Sequence, residues 1–151
     1  MPTTDRPDPP ALTEEQQQAL RGAVPDAMLA TPYLSGLGLV FESYEADDVT
    51  MRLPFRAELT NDGHVYHGGV VAGVMDTAGA AAAWSNHDFS RGTRASTLSL
   101  SVQYVAAARA SDLVCRARTV RRVRELSFVE ITACDGDGRV VAHGVQTYRI
   151  A

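Results

Sequence analysis

The sequence predicts an α+β domain: one antiparallel sheet with a long apolar helix lying against its face. Three observations carry the prediction. "HGGVVAGVMDTAGAAAAW", residues 67 to 84, is a run of small and apolar residues with a single carboxylate, Asp76, set into it. Segments on either side alternate apolar and polar residues with the period of two that marks strands. Their order along the chain, short helix, two strands, long helix, four strands, fits one sheet carrying a helix on one face. At 151 residues the chain has the size of one domain, able to bury about two thirds of the surface its unfolded form exposes.

Residues 1–12 hold four prolines and hardly any large apolar side chain. Such a segment buries too little to offset its ordering entropy, so it is expected to be a disordered tail, with residues 13–151 forming the single domain. Thr13 and Gln16 have the spacing of a capping box at the head of "TEEQQQALRGA", and Pro25 is expected to end that short helix. "LGLVFESYEA" sets Leu37, Leu39 and Phe41 on one face; after "DD", "VTMRLPF" sets Val49, Met51, Leu53 and Phe55 against Thr50, Arg52 and Pro54. A hairpin is expected there. The Asn-Asp-Gly turn signal in "RAELTNDGHVYH", residues 56 to 67, marks a loop that leads into the long helix near Gly68. "TLSLSVQYV", residues 97 to 105, then alternates without a break. "DLVCRARTVRRV", "LSFVEITAC" and "RVVAHGVQTYRI" supply three further strands, the last two joined by the hairpin signal "DGDG". No internal repeat is present.

Composition narrows the function classes. A net charge of −4, from 14 basic and 18 acidic residues, gives no field that would draw the chain to nucleic acid or an anionic membrane. The start "MPTTDRPDPP" lacks a basic stretch followed by an apolar one, and the Ala-rich helix is too short and Gly-interrupted to span a bilayer. A soluble cytoplasmic protein is the expectation. Cys115 and Cys134 lie in strand-like segments with no CxxC pattern and read as reduced core thiols. His64, three residues before His67, has no acidic or Cys third ligand nearby, so no metal site is expected; His87 and His143 read as structural or exposed. The absence of a GxSxG elbow, a Walker A loop and a dinucleotide fingerprint argues against a serine hydrolase, an NTPase and a Rossmann enzyme.

The long helix raises two questions. It has almost no polar face, so either the sheet curls around it, or a second copy of the protein packs over it, or both. Asp76 also has only Ala72, Gly73, Gly79 and Ala80 at the neighbouring helical positions, an apolar and very small face for a charged group. A carboxylate placed so is either neutralised by pairing or exposed incidentally, or it is there for chemistry. At the start of the helix, Gly68 and Gly69 present backbone N–H groups at the positive end of the macrodipole, a pair that could cradle an oxyanion or could merely ease entry of the chain. A carboxylate and an oxyanion cradle together point to acyl transfer. Gly68 and Asp76, eight residues apart, are separated by about 12 Å along one helix, too far to act on one carbonyl. A shared site therefore requires Asp76 of one copy to face Gly68 of another, and a homodimer with two composite sites is expected.

"NDGHVYHGGVVAGVMDTAG" resembles the signature of hotdog-fold acyl-CoA thioesterases of the phenylacetic-acid-degradation (PaaI) type, with Asn61, His67, Gly68, Gly69 and Asp76 in every position of the motif. The resemblance runs over residues 33 to 150 and leaves out the Pro-rich tail and first helix. It implies a hotdog fold, a curved antiparallel sheet around a central helix, paired into homodimers or homotetramers, that hydrolyses acyl-CoA with no cofactor. By that resemblance Asp76 activates water or attacks the thioester, the Gly68 N–H of the partner chain binds the oxyanion, Asn61 holds the water or the carboxylate, and His67 fixes the loop. Thr97 stands where related enzymes often carry a Ser or Thr that helps position water, although Ser96 and Ser99 are close and a slip of one residue changes the face. Gly69, Val70 and Thr77, beside these residues on the helix, are expected to contact substrate. Arg116, Arg118, Arg121, Arg122, Arg124, Arg91 and Arg94 are either solvated or in part meet the CoA phosphates. The alternative function is a non-catalytic acyl-CoA-binding or regulatory hotdog protein that kept the cleft; a hotdog dehydratase would need a different acid/base set.

Overall fold

A computed structural model describes residues 11–151. Residues 1–10 of the expected tail lie outside the described residues; Leu12 is already tied down, its N–H donating to Ser90 Oγ at 3.2 Å. The first helix, α1 (Glu14–Leu29), opens on the expected capping box, with the Thr13 side chain accepting from the Gln16 N–H and the Gln16 side chain from the Thr13 N–H. Pro25 does not end it. A proline inside a helix removes one hydrogen bond and costs about 3 kcal/mol. Here that loss is offset because the last turn beyond it carries Met28 and Leu29, which pack against the core, while Val24 is buried just before it. A one-turn helix the sequence reading did not foresee, α2 (Pro32–Ser35), follows, with proline at its start and Leu34 buried.

The strands are β1 (Val40–Glu45), β2 (Asp48–Leu53), β3 (Ala95–Tyr104), β4 (Leu113–Val123), β5 (Leu126–Cys134) and β6 (Val140–Ile150), and the long helix is α3 (Gly68–Ser85). They form one antiparallel sheet in the order β1-β2-β4-β5-β6-β3. This is the expected α+β hotdog architecture. β1 begins later than the alternation at Leu37 does, because Gly38 (φ +74°) bends the chain, yet Leu37 and Leu39 still point inward.

The sheet curls around α3. Val49, Met51 and Leu53 of β2, Leu113, Cys115 and Ala117 of β4, and Val129, Ile131 and Ala133 of β5 are buried with Val71, Val74, Met75, Ala78, Ala81 and Ala82 of the helix in one core cluster. Full burial of each large apolar side chain among these contributes roughly 1.5–3 kcal/mol. Of the two coverings considered for the apolar helix, the sheet accounts for most of it within one chain. Gly69, Ala72, Gly73 and Asp76, spaced along one face, are the less buried strip. No helix among the described residues is long and apolar enough to cross a membrane.

The far end of α3 is clasped by the β1–β2 turn. Asp47, at φ +64°, donates its N–H to Ser85 Oγ (2.8 Å), and its carboxylate accepts from Asn86 Nδ2 (2.7 Å) and Arg122 Nη2 (2.5 Å). Beside it His87 is 6 % exposed, packed against Trp84 and Phe89, with Nε2–H donating to the Gly92 carbonyl at 2.8 Å. Burial pushes the imidazole pKa below its ordinary 6.5, and the Gly92 carbonyl offsets only part of that. The folded protein therefore holds His87 neutral where the unfolded chain would take up a proton. Its contribution to stability is complete above about pH 6.5 and is lost as pH falls from there through the folded value. Thermal unfolding of wild type and His87→Gln across pH 5 to 8 tests this: the variant is expected to lose part of the wild-type decline in Tm below about pH 6.5.

Candidate active site

Asp76 lies in the middle of α3, half-buried, on the side where the helix meets the β3–β6 end of the sheet. Its Oδ1 accepts two hydrogen bonds, from Thr97 Oγ1 at 2.7 Å and from Gln146 Nε2 at 2.6 Å. Among the described residues none donates to Oδ2. The carboxylate lines a hollow between α3, the α1–α2 turn and the start of β3, walled by Met28, Tyr33, Gly73, Thr77 and Thr97.

Thr97 reaches Asp76 because β3 carries a bulge. Thr97 pairs with Tyr148 and Ser99 with Thr147, so Leu98 is the extra residue and the alternation changes phase there. The bulge resolves the one-residue slip that the sequence leaves open: Thr97 is the hydroxyl that bonds Asp76, and neither Ser96 nor Ser99 does so.

Gln146 is a member of the site that the sequence reading missed. The signal was present: in "VVAHGVQTYRI" the alternation puts Ala142, Gly144, Gln146, Tyr148 and Ile150 on one face, and Gln146 is the lone amide in an inward row. A buried polar side chain on an otherwise apolar face calls for a partner, and here the partner is the carboxylate.

The other motif residues gather at the N-terminal end of α3. His67 is the N-cap, with its Nδ1 accepting from the Gly69 N–H at 2.9 Å. The expected donor pair is thereby reduced to one: the Gly69 amide is committed to His67, and among the described residues nothing accepts from the Gly68 N–H. The Gly68 carbonyl accepts from Tyr104 Oη at 2.7 Å, and Gly68 borders a separate, mainly apolar hollow with Val65, Tyr66, Val71, Tyr104 and Ala108. Asn61 sits exposed on the loop before the helix, where its N–H donates to the Val65 carbonyl at 2.9 Å. Val70 packs on the core near this end. Thr77 spends its hydroxyl on the Gly73 carbonyl at 2.8 Å and offers the cleft only its remaining surface.

Within one chain, then, Asp76 and Thr97 form one group, and Asn61, His67 and Gly68 another. Three of the late arginines are occupied: Arg116 pairs with Asp48, Arg118 with Glu130 and Arg122 with Asp47. That reduces the group available for phosphate. Cys115 is buried and Cys134 partly so, both as free thiols.

The chain has relatives among known proteins. A family profile described as "Thioesterase superfamily" matches residues 63–142, which span α3 and strands β3, β4 and β5 and reach the start of β6. A Halobacterium salinarum protein named provisionally as an esterase is 31% identical over 126 residues, covering 78% of this chain and 83% of its own. A solved thioesterase family protein from Silicibacter pomeroyi superposes with a TM-score of 0.78 at 26% identity, over 89% of this chain and 99% of that one. The E. coli PaaI protein from the phenylacetic acid degradation operon superposes with a TM-score of 0.77 over 89% of this chain and 96% of that one; at 17% identity the likeness is one of fold.

Proposed function

This chain belongs to the thioesterase superfamily, and from that membership we propose that it hydrolyses an acyl-CoA thioester to the free acid and CoA, with Asp76 as the reacting carboxylate. The observation that carries the reading is the inequivalence of the two Asp76 oxygens: Oδ1 holds two donors, while Oδ2 is left for the cleft. Oδ2 acts as base toward a water or as nucleophile toward the thioester carbon. In either route the carbonyl oxygen becomes an oxyanion, the C–S bond breaks, and the CoA sulfur leaves as the thiol. Water supplies the second oxygen of the acid.

The oxyanion would be received by the Gly68 N–H of a second subunit. Support comes from the axial separation of about 12 Å between the two residues in one helix, from the uncommitted Gly68 amide, and from the less buried strip that carries Asp76. The open edge of β3, ten residues long, lies beside that strip and offers backbone groups to the same strand of another copy. In this reading Asn61 reaches the water or the carboxylate from the partner's loop, His67 keeps the helix end oriented by holding Gly69, and Val70 and Thr77 border the acyl group. Assignment to the phenylacetic-acid-degradation type is part of the proposal and is supported by the spacing of Asn61, His67, Gly68, Gly69 and Asp76.

A thiol-release assay over acetyl-, hexanoyl-, octanoyl-, benzoyl- and phenylacetyl-CoA tests the function. Stoichiometric release of CoA on at least one of these, with kcat/KM above about 10⁴ M⁻¹s⁻¹, is the expected result. Saturable binding of these thioesters without turnover would favour the acyl-CoA-binding alternative.

A further inference from the structure

We infer that Gln146 is a positioning residue that clamps Asp76 Oδ1 so that Oδ2 is the reacting oxygen, and that Gly79 is a glycine in order to admit that amide beneath the helix. This rests on the reading of Asp76 as the reacting carboxylate. Gln146 is 2 % exposed, on the inner face of β6. Its Nε2 donates to Asp76 Oδ1 at 2.6 Å and to the Asp76 backbone carbonyl at 3.0 Å, with Thr97 Oγ1 at 3.5 Å. One amide thus grips both the side chain and the main chain of the same residue, which fixes the side-chain torsion between them. The opposite amide orientation would turn Oε1 toward a carboxylate oxygen and a carbonyl, three acceptors together, so the orientation is dictated by the partners.

Packing alone does not explain this residue. Gln146 Oε1 is buried and has no hydrogen-bond partner among the described residues, and a buried acceptor without a donor is destabilising. Methionine would fill nearly the same volume without that penalty. Gly79, one turn beyond Asp76, carries a second local cost, since glycine in a helix interior is less favourable than alanine. A Cβ at position 79 would overlap Gln146 Oε1 and sit 2.8 Å from both Gln146 Cδ and Ile131 Cδ1. Two unfavourable choices in one place, each explained by the amide reaching Asp76, mark the arrangement as one kept for the carboxylate. Thr97 braces Oδ1 from the other strand, so Oδ2, to which no described residue donates, is the oxygen left for the hollow that Asp76 lines with Tyr33 and Met28.

The test is Gln146→Met on the acyl-CoA panel. Loss of the clamp is expected to lower kcat about 10- to 100-fold, with KM changed less than about threefold and the thermal midpoint unchanged or raised. A residue serving packing alone would show the opposite: reduced midpoint, unchanged kcat. Gly79→Ala, which pushes the amide aside, is expected to lower kcat similarly, and Gly79→Ala with Gln146→Ala is expected to be no slower than Gln146→Ala alone. That alanine pair also serves if Gln146→Met fails to fold, because the methyl group at 79 occupies the space the amide vacates. Wild-type kcat in Gln146→Met, or additive losses in the alanine pair, would overturn the clamp while leaving the function of Asp76 intact. A wild-type protein inactive on the whole panel would overturn both.

Discussion

Asp76→Asn is expected to reduce kcat by about 10³-fold while leaving KM and the folded state close to wild type. The change is conservative where the structure is concerned. Asn keeps an acceptor oxygen to receive Thr97 Oγ1 and Gln146 Nε2, the two bonds that Oδ1 now holds. It differs at the other branch, where an NH₂ group replaces Oδ2 and can neither take a proton from water nor attack a carbonyl. Steady-state kinetics on the best acyl-CoA, alongside a thermal melt, separates the outcomes: turnover near wild type in a folded variant would remove Asp76 from the chemistry. Slow recovery of activity on standing would indicate deamidation back to Asp, and fresh protein is the appropriate comparison.

Gly68→Pro is expected to cost about 10²- to 10³-fold in kcat by deleting one oxyanion donor. Position 68 is unusually suited to this substitution. It is the first residue of α3, where proline is readily accommodated. His67 before it already has φ −60° and ψ 133°, the extended backbone that a following proline demands. A Cβ at 68 would meet only Tyr104 at 3.5 Å, an ordinary contact. The decisive experiment combines the two variants. If each site takes Asp76 from one chain and Gly68 from the other, a mixed dimer of Asp76→Asn and Gly68→Pro subunits holds one site with both groups intact. Unfolding and refolding an equimolar mixture would then restore about a quarter of wild-type activity. Two inactive variants that stay inactive together would place both groups in one chain's site, or in none.

Much of this was legible in the sequence, and the gaps have physical causes. The six strands and the central helix follow from periodicity, and the separation of Asp76 from Gly68 follows from helix rise alone. The continuation of α1 past Pro25 was not legible, because packing of Met28 and Leu29 overrode a local preference. Thr97 could be named but not fixed in register, since only the pairing with β6 reveals the bulge at Leu98. Gln146 was readable from its inward position, yet its partner lies 70 residues away in the chain and no spacing rule connects them. The wall formed by Met28 and Tyr33 lies largely outside the motif region altogether.

The two struts on the carboxylate come from β3 and β6, which pair with each other from Ala95↔Ile150 to Tyr104↔Ala142 with β4 and β5 threaded between them in sequence. Such long-range pairing belongs to the slow part of folding, because a large loop must close before its contacts form. Helix α3 can therefore be present, and the hairpins β1–β2 and β4–β5 zipped, in a chain whose acid still swings freely. The hold on Asp76 is therefore expected to form late as the chain folds, and to loosen early when the sheet frays at the β3 edge.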